Sequence, residues 1–119
     1  MPPRRRRDPP ASRQIGRVFQ ALADTTRRAV IERLAEGPAS MTELARPFEM
    51  ALPSFTQHLK VLEQAGVVRS HKEGRVRTYE LVPRPLTVAE NWMVAQRAVW
   101  EQRLDGLEAY VKRMKRKDG

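Results

Sequence analysis

The sequence predicts a mostly α-helical chain that carries one small β-hairpin. Three observations lead there. Apolar residues recur at helical spacing in several separate stretches, the spacing changes to alternation only around Lys72-Glu73-Gly74-Arg75, and 9 prolines and 6 glycines punctuate the ends of these stretches. At 119 residues the chain has room for one domain with a modest core, and 40% apolar against 31% charged residues is an ordinary globular balance.

Met1 to Ser12 holds four prolines and the block Arg4, Arg5, Arg6, Arg7, with almost no large apolar side chain, so residues 1–12 are expected to be a disordered basic arm. From there Ile15, Val18, Phe19 and Leu22 share one helical face, which predicts a first helix over 13–22. Asp24 is placed to cap a second helix over 25–36, with Ala29, Val30 and Leu34 inward and Gly37-Pro38 as its stop. A third helix begins at Ser40 or Thr42. Ser40 and Glu43 have capping-box spacing, Leu44 and Phe48 face inward, and Pro47 shortens or kinks the end. After the link Glu49-Met50-Ala51, Pro53 suits the first turn of a fourth helix, whose Phe55, Leu59 and Leu62 recur until Gly66. Two short helices joined by a short turn make a helix-turn-helix.

Val67-Val68 on one side and Val76, Thr78, Tyr79, Leu81 and Val82 on the other predict two strands meeting at the Gly74 turn. Pro83 and Pro85 end the hairpin, and a helix of some thirty residues should follow to Lys115, leaving 116–119 as a basic tail of the 13–115 domain. Met93, Trp100, Leu107 and Met114 recur every seventh residue along it, accompanied by Ala89, Leu104, Tyr110 and Val111. A helix of about 45 Å outruns what so small a domain can cover. With Ile15 and Phe19 of the first helix, the stripe is expected to hold a homodimer through the first and last helices. Trp92 and Trp100 could instead line a small-molecule pocket, and the sequence names no effector.

Charge then narrows the function. The 23 Lys+Arg exceed the 14 Asp+Glu by nine; residues 1–13 and 112–118 carry a net four positive charges each, which leaves one for 14–111. Such a balance favours an acidic polymer, nucleic acid before others, because each neutralised phosphate releases condensed counterions. The chain has no cysteine, so disulfides and thiolate metal sites are excluded, and a reducing cytoplasm is the expected compartment. Asp8-Pro9-Pro10 follows the arginine block where a signal peptide would need an apolar stretch, and no apolar run is long enough to span a membrane.

A helix-turn-helix followed by a basic hairpin is the winged-helix arrangement, whose second helix enters the major groove of double-stranded DNA while the hairpin lies along the backbone. On the fourth helix Pro53, Ser54, Thr56, Gln57 and Lys60 lie opposite the inward residues. Gln57 can bond adenine in bidentate fashion, Ser54 and Thr56 can reach base edges or phosphates, Pro53 and Thr56 can touch thymine methyls, and Lys60 suits phosphate. The wing supplies Arg69, His71, Lys72, Arg75 and Arg77 for phosphates, and Arg4 to Arg7 add a basic arm. His58 sits at the packed boundary and is expected to be structural. No nucleophile has a base partner and no phosphate-binding glycine loop is present, so the sequence gives no support to an enzyme.

Val18-Phe19-Gln20-Ala21-Leu22-Ala23-Asp24-Thr25-Thr26-Arg27-Arg28, then Met41-Thr42-Glu43-Leu44-Ala45, the run from His58 to Val68, and Glu73 to Leu81 resemble the ArsR/SmtB family of bacterial winged-helix repressors over roughly residues 14–82. The resemblance implies a homodimer on a near-palindromic operator, often that of its own operon, with DNA contacts at Ser54, Thr56, Gln57, Leu52 and Pro53 and at Arg75 and Arg77 of the wing. Two departures stand out. Ala51 occupies a position where many members cap the recognition helix with Ser. The cysteines of arsenic sensors and the last-helix histidines of zinc sensors are missing, and His58 and His71 fall on different elements, so neither a metal switch nor a cofactor is expected. The expected function is a sequence-specific transcriptional regulator that represses; the alternative is a sequence-tolerant architectural or RNA-directed nucleic-acid binder on the same fold.

Overall fold

The computed structural model describes residues 10–118; the Arg4 to Arg7 block lies outside them. Eight elements follow in order: α1 (Pro10–Leu22), α2 (Thr25–Leu34), β1 (Ala39–Ser40), α3 (Met41–Ala45), α4 (Leu52–Gln64), β2 (Val68–Glu73), β3 (Val76–Leu81) and α5 (Arg84–Asp118). The chain divides into two compact units, one ending at Ala89 and the other starting at Glu90.

In the first unit the helical spacing translates directly into burial. Val18 and Ala21 of α1, Val30 and Leu34 of α2, Leu44 of α3, and Phe55, Leu59 and Leu62 of α4 form one core with Val67, Val68, Tyr79 and Ala89. α1 begins at Pro10, three residues ahead of the expected start. α2 begins after Asp24, whose carboxylate accepts the Arg27 backbone N–H at 3.1 Å, as an N-cap should. It stops at Leu34, and Gly37 with φ 142 turns the chain, a conformation that a side chain would strain.

α3 is shorter than the sequence predicts. Ser40 caps it by accepting the Glu43 N–H at 3.2 Å, but Pro47 has no N–H to donate and the helix ends at Ala45. The link to α4 is therefore six residues long, and two of them, Phe48 and Met50, pack against the core, Phe48 stacking on Phe55 with centroids 5.5 Å apart. α4 starts after Ala51 with no side-chain cap and with Pro53 in its first turn.

The hairpin is part of a three-stranded antiparallel sheet in the order β1-β3-β2. β1 was not foreseen: Ala39 pairs with Tyr79 and Ser40 with Thr78, tying the start of α3 to the base of the wing. β2 and β3 pair from Val68↔Leu81 to Glu73↔Val76, so Gly74 and Arg75 form a two-residue turn, with Gly74 at φ 61 in the place where a II′ hairpin turn needs glycine.

The second unit is the remaining length of α5, from Glu90 to its end. Met93, Trp100, Leu104, Leu107, Val111 and Met114 are all exposed along it, Trp100 and Leu104 by about two thirds. Gly106 does not interrupt the helix, which runs three residues past Lys115 into the expected basic tail.

Candidate nucleic-acid interface

α4 turns its apolar ridge inward through Phe55, Leu59 and Leu62, and this leaves Pro53, Ser54, Gln57 and Lys60 exposed on the outside. Gln57 and Lys60 have no side-chain partner among the described residues, so their hydrogen-bonding groups are available. Thr56 differs. It is half-buried and its hydroxyl donates to the Leu52 carbonyl at 2.9 Å, which leaves it only acceptor capacity toward a ligand.

In the wing, strand alternation divides the expected cations between two faces. Lys72 and Arg77 stand directly opposite each other on the face that also carries Ser70 and Tyr79, whereas Arg69, His71 and Glu73 project from the other. Two cations in register destabilise a ladder unless an anion joins them. Arg75 at the turn lies with them along an open cleft of about 460 Å³, which is completed by Ser40, Met41 and Thr42 at the start of α3. Arg77 Nη1 donates to Ser70 Oγ at 3.0 Å, and Ser70 donates to Glu63 of α4 at 3.3 Å, which braces the wing against that helix. Burial, followed by the Glu63 carboxylate, raises the Tyr79 phenol above its ordinary pKa.

The other wing groups are engaged elsewhere. Arg69 pairs with Glu80, its cross-strand partner, and His71 Nε2 lies 3.9 Å from Glu73 Oε1. The structure thus brings Lys72, Arg75 and Arg77 together and sets His71 apart. Thr42 joins them unforeseen, because its approach depends on the two-residue pairing of β1, which is too short to leave a periodic signal.

His58 is three-quarters buried, with its Nδ1 at 3.1 Å from Arg27 Nη1 and 3.6 Å from Asp24 Oδ2. A guanidinium can only donate, so Nδ1 is the acceptor in the Arg27 contact. The Arg27 backbone N–H is the main cause that holds the Asp24 carboxyl below its usual pKa. Among the described residues no group of three or more His, Cys, Asp or Glu side chains is set to hold a metal ion, and no helix is long and apolar enough to cross a membrane.

A helix-turn-helix domain family matches residues 22–71, which cover α2, α3, α4 and most of β2. The HTH-type transcriptional regulator Rv2034 of Mycobacterium tuberculosis is 49% identical over 71 residues, 60% of this chain and 66% of that protein. The transcriptional repressor SdpR of Bacillus subtilis is 34% identical over 80 residues, 67% of this chain and 89% of the relative. Among solved structures, the ArsR family transcriptional regulator RHA00566 superposes with a TM-score of 0.73 at 52% identity, covering 76% of this chain and 93% of that one. The chain belongs to the ArsR family. Its fold is the winged helix-turn-helix of ArsR regulators, with α3 and α4 as the helix pair and β2-β3 as the wing. A further neighbour, from Mycobacterium bovis, is described as a homodimeric winged helix-turn-helix DNA-binding domain, at 26% identity and a TM-score of 0.57 over 76% of this chain and 82% of that one. As a member of the ArsR family the protein is a DNA-binding transcriptional regulator.

Proposed function

We propose that the chain represses transcription as a cytoplasmic homodimer bound to a near-palindromic operator, with α4 of each protomer in the major groove and the wing on the flanking phosphates. The observation that carries this reading is the outer face of α4, where Gln57 and Lys60 stand exposed and without partners opposite the buried Phe55, Leu59 and Leu62. Gln57 reads a base edge, flanked by Pro53 and Ser54, while Thr56 offers only an acceptor and a methyl. Lys60, Lys72, Arg75 and Arg77 neutralise phosphates, and the cleft between the wing and α3 supports this role because it gathers three of the four cations. His71 has a lesser part, since it faces Glu73 on the opposite side of the ribbon.

The dimer is supported by the α5 stripe of Met93, Trp100, Leu107 and Met114, which is too large an apolar surface to leave in water. The homodimeric M. bovis neighbour supports it as well. Ile15 and Phe19 of α1 contribute less than the stripe does, because both are half-buried within the protomer and Phe19 packs against its core. Selection of the intact protein against a pool of random duplexes at fixed salt tests the reading. A palindromic consensus whose half-sites lie about 34 Å apart is the expected result. Equal affinity for every duplex, or for RNA, would favour the sequence-tolerant alternative.

A further inference from the structure

Arg27 makes a set of contacts that neither the helix-turn-helix nor the wing explains. It occupies the first turn of α2, yet its side chain reaches two other helices. Nε donates to the Ala21 carbonyl at 2.9 Å and Nη2 to the Gln20 carbonyl at 2.8 Å, both at the C-terminal end of α1. Nη1 donates to His58 Nδ1 at 3.1 Å, on α4. The carbonyls at a helix end have no partner within the helix and need one from outside. Arg28 completes the cap by donating to the Leu22 carbonyl at 2.7 Å. The Arg27 backbone is in turn held by the Asp24 carboxylate. A planar guanidinium with all three nitrogens engaged fixes its partners in angle as well as in distance.

We propose that Arg27, acting through His58, is a positioning residue for base readout: it locks α4 in depth and rotation against the end of α1, so that Gln57, the residue preceding His58, meets the base edge at one height. The inference rests on the DNA-reading role proposed for α4. Its physical basis is that a bidentate base contact tolerates little displacement, whereas phosphate contacts made by long side chains tolerate more. α4 needs such a lock because its N-terminus lacks a side-chain cap at Ala51. The second consequence is coupling. α1 and α4 already share the core through Val18, Ala21, Phe55, Leu59 and Leu62, and Arg27 adds a polar link between the end of α1 and the turn of α4 that carries Gln57, so a shift of α1 is felt there.

The test uses the full chain with Arg27→Gln, His58→Leu and His58→Asn, measured on a duplex selected by the wild type and on a random duplex at the same salt. Asparagine is chosen because its Oδ1 falls near the position of the imidazole Nδ1 and can accept from Arg27. Arg27→Gln and His58→Leu should lose about tenfold or more on the selected duplex and less than about twofold on the random one, the pattern of a misplaced base contact with phosphate contacts intact. His58→Asn should recover most of the loss. Adding Gln57→Ala to Arg27→Gln should cost much less than Gln57→Ala costs in the wild type, because the two losses share one contact. If Arg27→Gln does not fold, the two His58 variants decide. Equal losses on both duplexes, additive losses in the double variant, or no difference between His58→Asn and His58→Leu would each overturn the positioning role while leaving the DNA-reading function standing. A wild type that prefers no sequence would overturn both.

Discussion

The division of the wing cations between engaged and available groups makes a quantitative prediction. Lys72 and Arg75 have no side-chain partner among the described residues and lie along the cleft beside α3, whereas Arg69, on the opposite face, is paired with Glu80. Each phosphate contact contributes about 0.9 to the slope of log affinity against log salt, so raising salt from about 50 to 200 mM weakens binding by about 3.5-fold for every contact made. Replacing Lys72 and Arg75 together by alanine should therefore flatten the slope by about 1.8 per bound protomer, reducing the salt-induced loss by about 12-fold, and by twice that slope change if two protomers hold one duplex. Arg69→Ala should change the slope by less than half as much as either single substitution. Glu80→Gln should steepen it by releasing the Arg69 charge. Fluorescence anisotropy of a labelled random duplex over that salt range suffices, because phosphates are present in any sequence. An Arg69→Ala slope change as large as that of Lys72→Ala, or an unchanged slope in the Lys72 and Arg75 double variant, would refute the division of the wing into two faces.

Gln57→Ala should cost about 1 to 3 kcal/mol on a selected duplex and relax preference at one base position, with little change on random DNA, as read by competition titration. Asp24→Ala should lower stability by about 1 kcal/mol through the loss of the α2 cap, measured by chemical denaturation. Because the folded Asp24 carboxyl lies below its ordinary value of 3.8, that contribution is complete above about pH 4 and fades as pH falls through the folded pKa, so wild type and variant should converge only in acid. Leu107→Glu places a charge in the α5 stripe and should shift sedimentation from dimer to monomer while the circular dichroism of the first unit's fold is retained; a variant that remains dimeric would count against that interface.

The parts of the fold that were legible in the sequence are those in which one periodicity decides. Phe55, Leu59 and Leu62 announce the inner face of α4, and the same spacing exposes Gln57 and Lys60 on the outer one. Asp24 and Ser40 announce their helix starts because capping is local chemistry. What remained hidden depends on residues distant in sequence. The pairing of Ala39 with Tyr79 has no local signature, and it is this pairing that brings Thr42 to the wing. Arg69 and Glu80 were within reach, since a two-residue turn at Gly74-Arg75 places them opposite each other, but the turn had to be located first. Arg27 could not have been assigned, because its partners on α1 and α4 become neighbours only after the helices pack.

The short reach of β1 gives the wing two mechanical regimes. Its base, at Thr78 and Tyr79, is hydrogen-bonded on both edges, while from Lys72 and Arg77 outward the ribbon has only two strands. A two-stranded ribbon twists and bends far more readily than a sheet of three. Deformation is therefore concentrated beyond a fixed fulcrum, and the cationic tip can follow grooves of different width without transmitting strain to α3 or to the core. It also makes the tip exchangeable: residues 72–76 can be lengthened, shortened or replaced as a cassette while the hydrogen bonds from Arg77 through Ser70 to Glu63 keep the wing braced on α4.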